Sequence, residues 1–501
     1  MVTSRARVWV LTWAALGACG GTFEARDGSG GAAAVGAEAG NAARPSGSEP
    51  NASGGRTSGS AGSGSSSAPG SGGSSAGSGD MLPPSSGGSA YSGHGFVVHE
   101  WGTDTIVVGS DGSLQRGLHH EEEDLPAFVY DRVKAATLLG QSSPSVTIKM
   151  ETPVTYFYSD VPLTVQASVG FPQGVLTQWY PGVTVFTPPL AGPSAINQDN
   201  PLTLADPALD PNFSFMTDMC RAKFSALAGG TLDWGKISVL ARGTEVSARL
   251  PVAPLEKFGW SYARAVASNP LQTPSGETER FLFYRGLGDF ELPVTVQAEA
   301  GGKVALVNHF TEAIGSVFMI HVDAERGAFT AHPKGIAPGA TLAGTLPNLD
   351  GAQPLAAYAN ELGAAVTATL DATGLYHDEA TAMVNTWKRQ WFRTPGSRLL
   401  YVIPQRWTDA SIPLTIAPKP ETTLRVMLIR VELITPEQEG EDVVAVQSFD
   451  AAASAARAHF AGLGRFAEPR LRRALALAPS SAASAYLTEI RSANSDVASG
   501  E

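Results

Sequence analysis

The stretch from 149 to 181 constrains the fold most, because apolar and polar residues alternate along it with a period of two. The alternating residues are Val154, Tyr156 and Tyr158 in a first run, and Leu163, Val165 and Ala167 in a second. β-Branched and aromatic residues in this pattern suit a pleated, half-buried surface. Turn-forming residues interrupt it at Ser159–Asp160 and Gly170–Gly174. The stretch therefore predicts three neighbouring antiparallel strands.

Further strand patterns follow along the chain, with turn signals between them. The predicted strands are Leu232–Leu240, Val246–Leu250, Trp260–Ala265, Arg280–Tyr284, Leu292–Ala298, Val304–Phe310, Ser316–Val322, Leu399–Ile403 and Leu424–Ile434. Short strands at this spacing are typical of a sandwich rather than of alternating strands and helices. We therefore predict a mainly β fold, an antiparallel β-sandwich-like domain that spans residues 96–434.

Helical patterns interrupt this domain and follow it. A helical hairpin is predicted at about 354–392, and its second helix carries an apolar stripe. The stripe consists of Ala380, Met383, Val384, Trp387 and Trp391. We expect this stripe to pack on the sheet. Residues 435–501 are richer in Ala, Arg and Glu and predict a helical C-terminal segment.

The N-terminus has the features of an export signal. Arg5 and Arg7 precede a short apolar run, which is followed by Leu16-Gly17-Ala18-Cys19. This tetrapeptide resembles the lipobox of bacterial lipoproteins, in which the Cys is acylated and becomes the mature N-terminus. The resemblance implies a signal peptide over 1–18, lipidation of Cys19 and attachment to the cell envelope, at the outer membrane. An ordinary signal peptide with an accidental Cys is the alternative.

Residues 19–95 are dominated by Gly, Ser and Ala, and aromatic residues are nearly absent from them. Such a sequence lacks the apolar surface that would offset the entropy cost of ordering it. We predict a disordered tether with a root-mean-square span of about 45–50 Å. A tether of this length holds a folded domain clear of the lipid headgroups.

Charge and motifs exclude several function classes. The net charge is −12, from 35 basic and 47 acidic residues, whereas a nucleic-acid-binding protein needs a basic face. The chain lacks the glycine-rich motifs of nucleotide-binding folds and the H-E-x-x-H and G-x-S-x-G motifs of common hydrolases. We therefore expect no nucleic acid, no nucleotide and no cofactor.

His119 and His120, followed by the acidic run 121–124, superficially resemble a set of metal ligands. Adjacent His residues in a strand point to opposite faces, and a metal site needs ligands that converge. A solvated acidic turn before a helix is the preferred interpretation, and no metal site is predicted.

The folded region also resembles a group of large, uncharacterised exported proteins of myxobacteria and planctomycetes. The motifs that carry the resemblance are H-E-W-G-T at 99–103, M-E-T-P-V-x-Y-F-Y-S-D at 150–160, Gln178–Pro181, Leu232–Gly235, Glu279–Gly286, Ala380–Trp387 with Trp391–Phe392, and Gly464–Ala467. The resemblance spans most of the chain from 96 to about 475. It implies a common architecture and no particular activity.

Carboxylates next to aromatic residues are the candidate functional groups. The candidate catalytic residues are Glu100, Glu151 and Glu379, and the candidate binding residues are Arg285, Trp101 and Tyr158. Paired carboxylates among aromatic residues suit a glycosidase, and the same groups suit a sugar-binding cleft. A buried Glu–Arg pair that links strands is the structural alternative. We expect at least two of the three glutamates to share a pocket with Arg285, between the hairpin and the strands.

The sequence thus predicts a cell-envelope lipoprotein with a tethered binding or structural domain outside the membrane. Its expected partners are the membrane, through the lipid, and a carbohydrate or protein ligand. A carboxylate-based hydrolase of envelope or extracellular polysaccharide is the alternative. The sequence does not decide whether the protein is an enzyme.

Overall fold

The computed structural model describes residues 90–93, 95–118, 125–126, 128–131, 146–187, 229–246 and 259–492. Cys19, the signal peptide, most of the predicted tether and the run from His119 to Asp124 lie outside these residues. The strands are β1 (Val97–Val108), β2 (Tyr130–Asp131), β3 (Ile148–Met150), β4 (Val154–Tyr158), β5 (Leu163–Phe171), β6 (Gly174–Tyr180), β7 (Val185–Thr187), β8 (Gly230–Val239), β9 (Leu271–Gln272), β10 (Thr278–Glu279), β11 (Phe281–Gly288), β12 (Val294–Glu299), β13 (Lys303–Asn308), β14 (Val317–Val322), β15 (Arg326–His332), β16 (Thr341–Thr345), β17 (Gln353–Pro354), β18 (Gly396–Ile403), β19 (Leu414–Ala417) and β20 (Thr422–Leu433). The helices are α1 (Gly259–Arg264), α2 (Leu355–Ala372), α3 (His377–Arg393), α4 (Gln405–Ser411), α5 (Pro436–Gln447), α6 (Phe449–Ala461), α7 (Ala467–Leu477) and α8 (Ser481–Ser492), with a short 3-10 turn at Gly464–Phe466.

An eleven-stranded sheet forms the centre of the fold, in the order β17-β15-β14-β18-β20-β1-β3-β11-β6-β2, with β4 paired to β1 and β11. Two smaller sheets accompany it, one built around β8 and β5 and the other from β12, β13 and β16. Among the strands that the structure describes, the pairs are antiparallel except at the middle of the large sheet, where β1 and β20 run parallel. The predicted fold class, mainly β with antiparallel sheets and added helices, is confirmed.

Both faces of the large sheet are covered. One face packs on the two smaller sheets, where Val98 and Ile106 of β1 join Val165 and Leu306 in a common core. The other face packs on helices α1 to α3, and Trp101 of β1 belongs to that second core. Because successive strand residues point to opposite faces, a strand covered on both sides is buried along almost its whole length.

The three strands predicted between 149 and 181 exist, but they are not neighbours. Strands β4 and β6 lie in the large sheet, whereas β5 pairs with β8 and β19 in a smaller sheet. Burial reflects this difference, since β4 and β6 are buried throughout while β5 alternates. A period of two reveals which residues share a face of a strand, but it does not reveal which strand lies beside it.

The predicted helical hairpin is confirmed as α2 and α3, and the apolar stripe of α3 packs in the second core. The predicted strand at Trp260–Ala265 is wrong, because Trp260 and Ala263 belong to helix α1. A helix of 6 residues is too short to display a helical repeat, and its alternation of aromatic and small residues mimics a strand. The predicted strand at Val246–Leu250 lies mostly outside the described residues.

The C-terminal helices α5 to α8 form a core of their own around Phe449, Phe460 and Leu471. They are joined to the sheet by polar contacts at the end of β1, where Ser110 donates to Glu439 and Arg473 pairs with Asp111. In the part of the chain that the structure describes, every helix is too short or too polar to cross a membrane.

Candidate aromatic cavity

A narrow cavity of about 40 Å³, which is partly open to solvent, lies between the large sheet and helices α1 and α3. Its lining is mostly aromatic and apolar. The described lining residues are Trp101, Leu125, Pro126, Thr152, Val154, Gly259, Trp260, Ala263, Phe281, Phe283, Arg285, Thr386 and Trp387. Concave, apolar pockets with a few polar groups are the usual form of small-ligand sites.

Strand β11 supplies one wall of the cavity. Phe281, Phe283 and Arg285 are spaced by two, so their side chains share the face that is directed toward the helices. The pairing with β6 shifts register directly after Arg285, at Gly286. A Cβ atom on Gly286 would lie 2.8 Å from the main-chain oxygen of Val175, so only glycine fits there. Bulges of this kind redirect side chains at functional sites.

The aromatic walls are held by ring contacts and hydrogen bonds. The ring of Trp260 lies 5.1 Å from that of Phe281 and 5.0 Å from that of Phe283. Its indole N–H donates to Glu279, and the indole N–H of Trp387 donates to Thr152 at 3.2 Å. Because these rings are fixed by their own polar atoms, the cavity is formed in advance of any ligand.

Arg285 brings positive charge to the cavity and contacts Glu151. Its Nε donates to the main-chain oxygen of Glu151, while the carboxylate of Glu151 accepts from Arg465 of the C-terminal segment. Burial opposes ionisation of Glu151, but Arg465, Lys149 and Arg285 outweigh it and lower the pKa of this carboxyl group to about 2. Glu151 therefore remains ionised and is held by cations.

Glu100 lies on the opposite face of the sheet from Trp101. Its carboxylate accepts from Arg425, which faces it across the parallel β1–β20 pair, with an Nε–Oε1 distance of 2.8 Å. The hydroxyl groups of Thr155 and Tyr284 donate to its other oxygen at 2.7 and 2.8 Å. All of these groups are buried. Glu100 thus forms the strand-linking Glu–Arg pair that the sequence left as the structural alternative.

Glu379 belongs to a third group, which includes Tyr158. The Tyr158 hydroxyl donates to Oε1 at 2.6 Å, and Nδ1 of His99 lies 2.8 Å from Oε2. The main-chain N–H of Tyr376 also donates to Oε2, so the carboxylate caps the start of helix α3. Burial and then Glu379 raise the pKa of Tyr158 well above its usual value. These contacts give Glu379 a positioning role in the core.

That two of the three glutamates share a pocket with Arg285 stays a prediction, and the described lining of this cavity does not support it. Arg285 and Trp101 line the same cavity, which lies between the helical hairpin and the sheet. None of the three glutamates is among the described lining residues of this cavity. Sequence reasoning missed Trp260, Phe281 and Phe283 as cavity residues. The spacing by two of Phe281, Phe283 and Arg285 was the available signal. Elsewhere, the described residues contain no cluster of three His, Cys, Asp or Glu side chains suited to a metal ion.

Known proteins offer little likeness to this chain. No protein-family model matches it, and no curated protein matches it. Among solved structures, the chain is similar to the yeast delta-COP-I mu-homology domain complexed with the Dsl1 WxWxV peptide, with 7% identity and a TM-score of 0.24 over 68% of this chain and 98% of that one. The yeast delta-COP-I mu-homology domain without that peptide gives a TM-score of 0.23 at 7% identity, over 69% of this chain and 98% of that one. TM-scores this low do not establish a common fold.

Proposed function

We propose that this chain is a lipid-anchored protein of the cell envelope, at the outer membrane, whose β-rich domain binds a carbohydrate. The cavity that is walled by Trp101, Trp260, Phe281, Phe283 and Trp387 is the observation that carries the binding proposal. The lipobox resemblance at Leu16–Cys19 carries the anchoring proposal.

The chemistry of the cavity suits a sugar ring. One face of such a ring presents C–H groups, which pack against flat aromatic side chains, and its edge carries hydroxyl groups. Arg285, Thr152 and Thr386 supply the cavity with polar atoms that can bond to those hydroxyl groups. A few placed polar groups among apolar walls fix the orientation of a ligand.

Binding is better supported than hydrolysis. A glycosidase needs two carboxyl groups that flank the bond it cleaves, roughly 5 to 9.5 Å apart. Glu100 contacts the core under the smaller sheets, whereas Glu379 contacts residues of the core under the helices, so the two do not flank a common substrate.

Replacing Trp387 with leucine tests the binding site. The substitution keeps an apolar side chain but removes the flat ring, and we expect a loss of about 2 kcal/mol, or roughly a thirtyfold rise in Kd. Binding is measured by titration calorimetry with soluble oligosaccharides of glucose, N-acetylglucosamine and glucuronic acid.

Trp407→Leu is the matched control, because Trp407 is about as buried as Trp387, at 8% against 4% exposed, and is not among the described lining residues of the cavity. Circular dichroism establishes that both variants are folded. Equal affinities for the two folded variants would contradict the proposed site.

The anchor is tested by Cys19→Ser. The substitution removes the only proposed acylation position, and we expect the protein to move from the membrane fraction to the soluble fraction of the envelope. Fractionation of cells that express the full chain measures this, with Cys220→Ser as the control that leaves the lipobox intact. A Cys19→Ser protein that stays with the membranes would contradict the lipoprotein proposal.

A further inference from the structure

The cavity is narrower than a sugar ring. Its volume is about 40 Å³. A space of roughly 10 to 15 Å³ holds one water molecule, whereas a cavity of about 150 Å³ holds benzene. A sugar ring with its hydroxyl groups is larger than benzene, so a whole ring does not fit inside this cavity. The space accommodates a substituent of the ring that is larger than a water molecule and smaller than benzene.

One end of the cavity is closed and the other is open. Phe281 and Phe283 line it and are almost fully buried, whereas the lining residues Gly259 and Thr386 are only partly buried. The mouth therefore lies beside Gly259 and Thr386, and the closed end lies among the aromatic rings. A substituent that enters the cavity meets polar atoms first and apolar rings last.

The N–H groups of the cavity walls are engaged within the protein. The indole N–H groups of Trp260 and Trp387 donate to neighbouring side chains, and the side chain of Trp101 interacts with the hydroxyl group of Tyr156. Arg285 is likewise bonded to its neighbours. The walls therefore offer a ligand mainly carbon surface, against which a methyl group packs well.

Thr386 supplies a hydrogen-bond acceptor at the mouth. Its hydroxyl group donates to the main-chain oxygen of Ala382 at 2.8 Å, so its hydrogen is used within helix α3. The main-chain oxygen of Gly259, a second acceptor, lies 3.3 Å from the same hydroxyl group. No described residue donates to the hydroxyl oxygen of Thr386, and a hydroxyl oxygen has two lone pairs that accept. The mouth therefore suits a ligand group that donates a hydrogen bond.

From the narrow aromatic cavity and the acceptor at its mouth, we infer that the protein recognises an N-acetylated sugar whose acetamido group enters the cavity. This inference rests on the proposed carbohydrate-binding function and narrows its ligand class. The methyl group packs among the aromatic rings, the amide N–H donates to the hydroxyl oxygen of Thr386, and the sugar ring lies across the mouth. A hydroxyl group in place of the acetamido group is too short to fill the cavity, and an acetyl ester has no N–H to donate.

The test compares three trisaccharides of the same linkage by titration calorimetry with the full chain: those of N-acetylglucosamine, of glucose and of N-benzoylglucosamine. We expect the N-acetylated probe to bind about ten- to a hundredfold more tightly than the glucose probe, because a buried methyl group and one hydrogen bond are added. The benzoylated probe keeps the amide, but its ring needs a cavity of about 150 Å³. We therefore expect it to bind no more tightly than the glucose probe.

Thr386→Val assigns the amide contact to one residue. Valine has a similar shape but no hydroxyl group, so we expect about a tenfold loss of affinity for the N-acetylated probe and an unchanged affinity for the glucose probe. Thr367→Val is the matched control, because Thr367 donates in the same way to the main-chain oxygen of Gly363, at 2.9 Å, and is not among the described lining residues. Circular dichroism establishes that both variants are folded.

The outcomes separate the two proposals. Equal binding of the N-acetylated and glucose probes by the unaltered protein would overturn the inference and leave carbohydrate binding in place. A benzoylated probe that binds as tightly as the N-acetylated one would overturn the entry of the acyl group into the cavity. An unchanged preference in folded Thr386→Val would overturn the role of Thr386. Failure of every sugar probe to bind would overturn both proposals.

Discussion

Glu100→Ala is expected to lower the free energy of unfolding by about 3 to 5 kcal/mol, because it leaves the buried Arg425 without its buried partner and with only the half-exposed Asp409 still paired to it. Arg425 is only 2% exposed, and its Nη2 lies 2.6 Å from Glu100. The same substitution removes the acceptor of the Thr155 and Tyr284 hydroxyl groups. Since a typical domain is stable by only about 5 to 15 kcal/mol, the loss is easily measured by denaturant unfolding.

Two controls separate this buried pair from ion pairs in general. Glu312→Ala removes one partner of the pair with Arg406, which is exposed on both sides, and is expected to change stability by less than about 1 kcal/mol. The double variant Glu100→Leu, Arg425→Met replaces both charges with apolar groups, and we expect it to recover most of the loss. A Glu100→Ala protein as stable as Glu312→Ala would contradict a role for the pair in stability.

The second large effect concerns pH. Asp104 is fully buried, and its Oδ2 has no hydrogen-bond partner among the described residues. The hydroxyl group of Tyr401, which interacts electrostatically with Asp104, also has no hydrogen-bond partner among them. Burial, and then repulsion from Glu151, raises the pKa of Asp104 from 3.8 to about 8. Between about pH 4 and pH 8, the folded protein therefore keeps a proton on Asp104 that the unfolded chain has already lost.

This difference predicts that stability falls as the pH rises from about 4 to about 8, by roughly 1.4 kcal/mol for each pH unit that Asp104 alone controls. Below that window both states are protonated, and above it both are ionised, so the contribution of Asp104 is then constant. Glu151 acts in a different range, because its lowered pKa contributes stability that is lost only as the pH falls below its ordinary value of 4.5 toward about 2.

Asp104→Asn is expected to flatten the pH dependence, since an amide does not titrate. Denaturant unfolding at pH 5, 6.5 and 8 measures the slope, which we expect to fall by about 1 kcal/mol or more per pH unit relative to the unaltered protein. Asp350→Asn, at an exposed position, is the control and should keep the original slope. Parallel pH profiles for Asp104→Asn and the unaltered protein would show that Asp104 is ionised in the folded state.

The fold class followed from local patterns, and the site followed from them only in part. The stripe of α3 predicted its packing on the sheet, because helical spacing determines which residues share a face. The alternation of side chains along a strand also bears on the site, because it places Glu100 and Trp101 on opposite faces of β1. That alternation by itself argues against a shared pocket for these two residues.

Long-range pairings account for most of what the sequence could not supply. Glu100 and Arg425 are 325 positions apart, and only the register of β1 against β20 brings them together. Arg465, in the 3-10 turn of the C-terminal segment, reaches Glu151 across 314 positions. Local propensity and periodicity describe residues within one segment and say nothing about contacts between distant segments. The partner of each buried charge was therefore not predictable from the sequence.

The central parallel pair has a consequence for the biogenesis of this protein. Strand β1 is made near the start of the domain, yet its parallel partner β20 is made near the end. Until β20 emerges, the edge of β1 has unpaired backbone groups of the kind that promote aggregation. The domain therefore completes its central sheet only after nearly the whole chain has been synthesised, and a truncated product that lacks β20 is expected to be a substrate for chaperones and proteases.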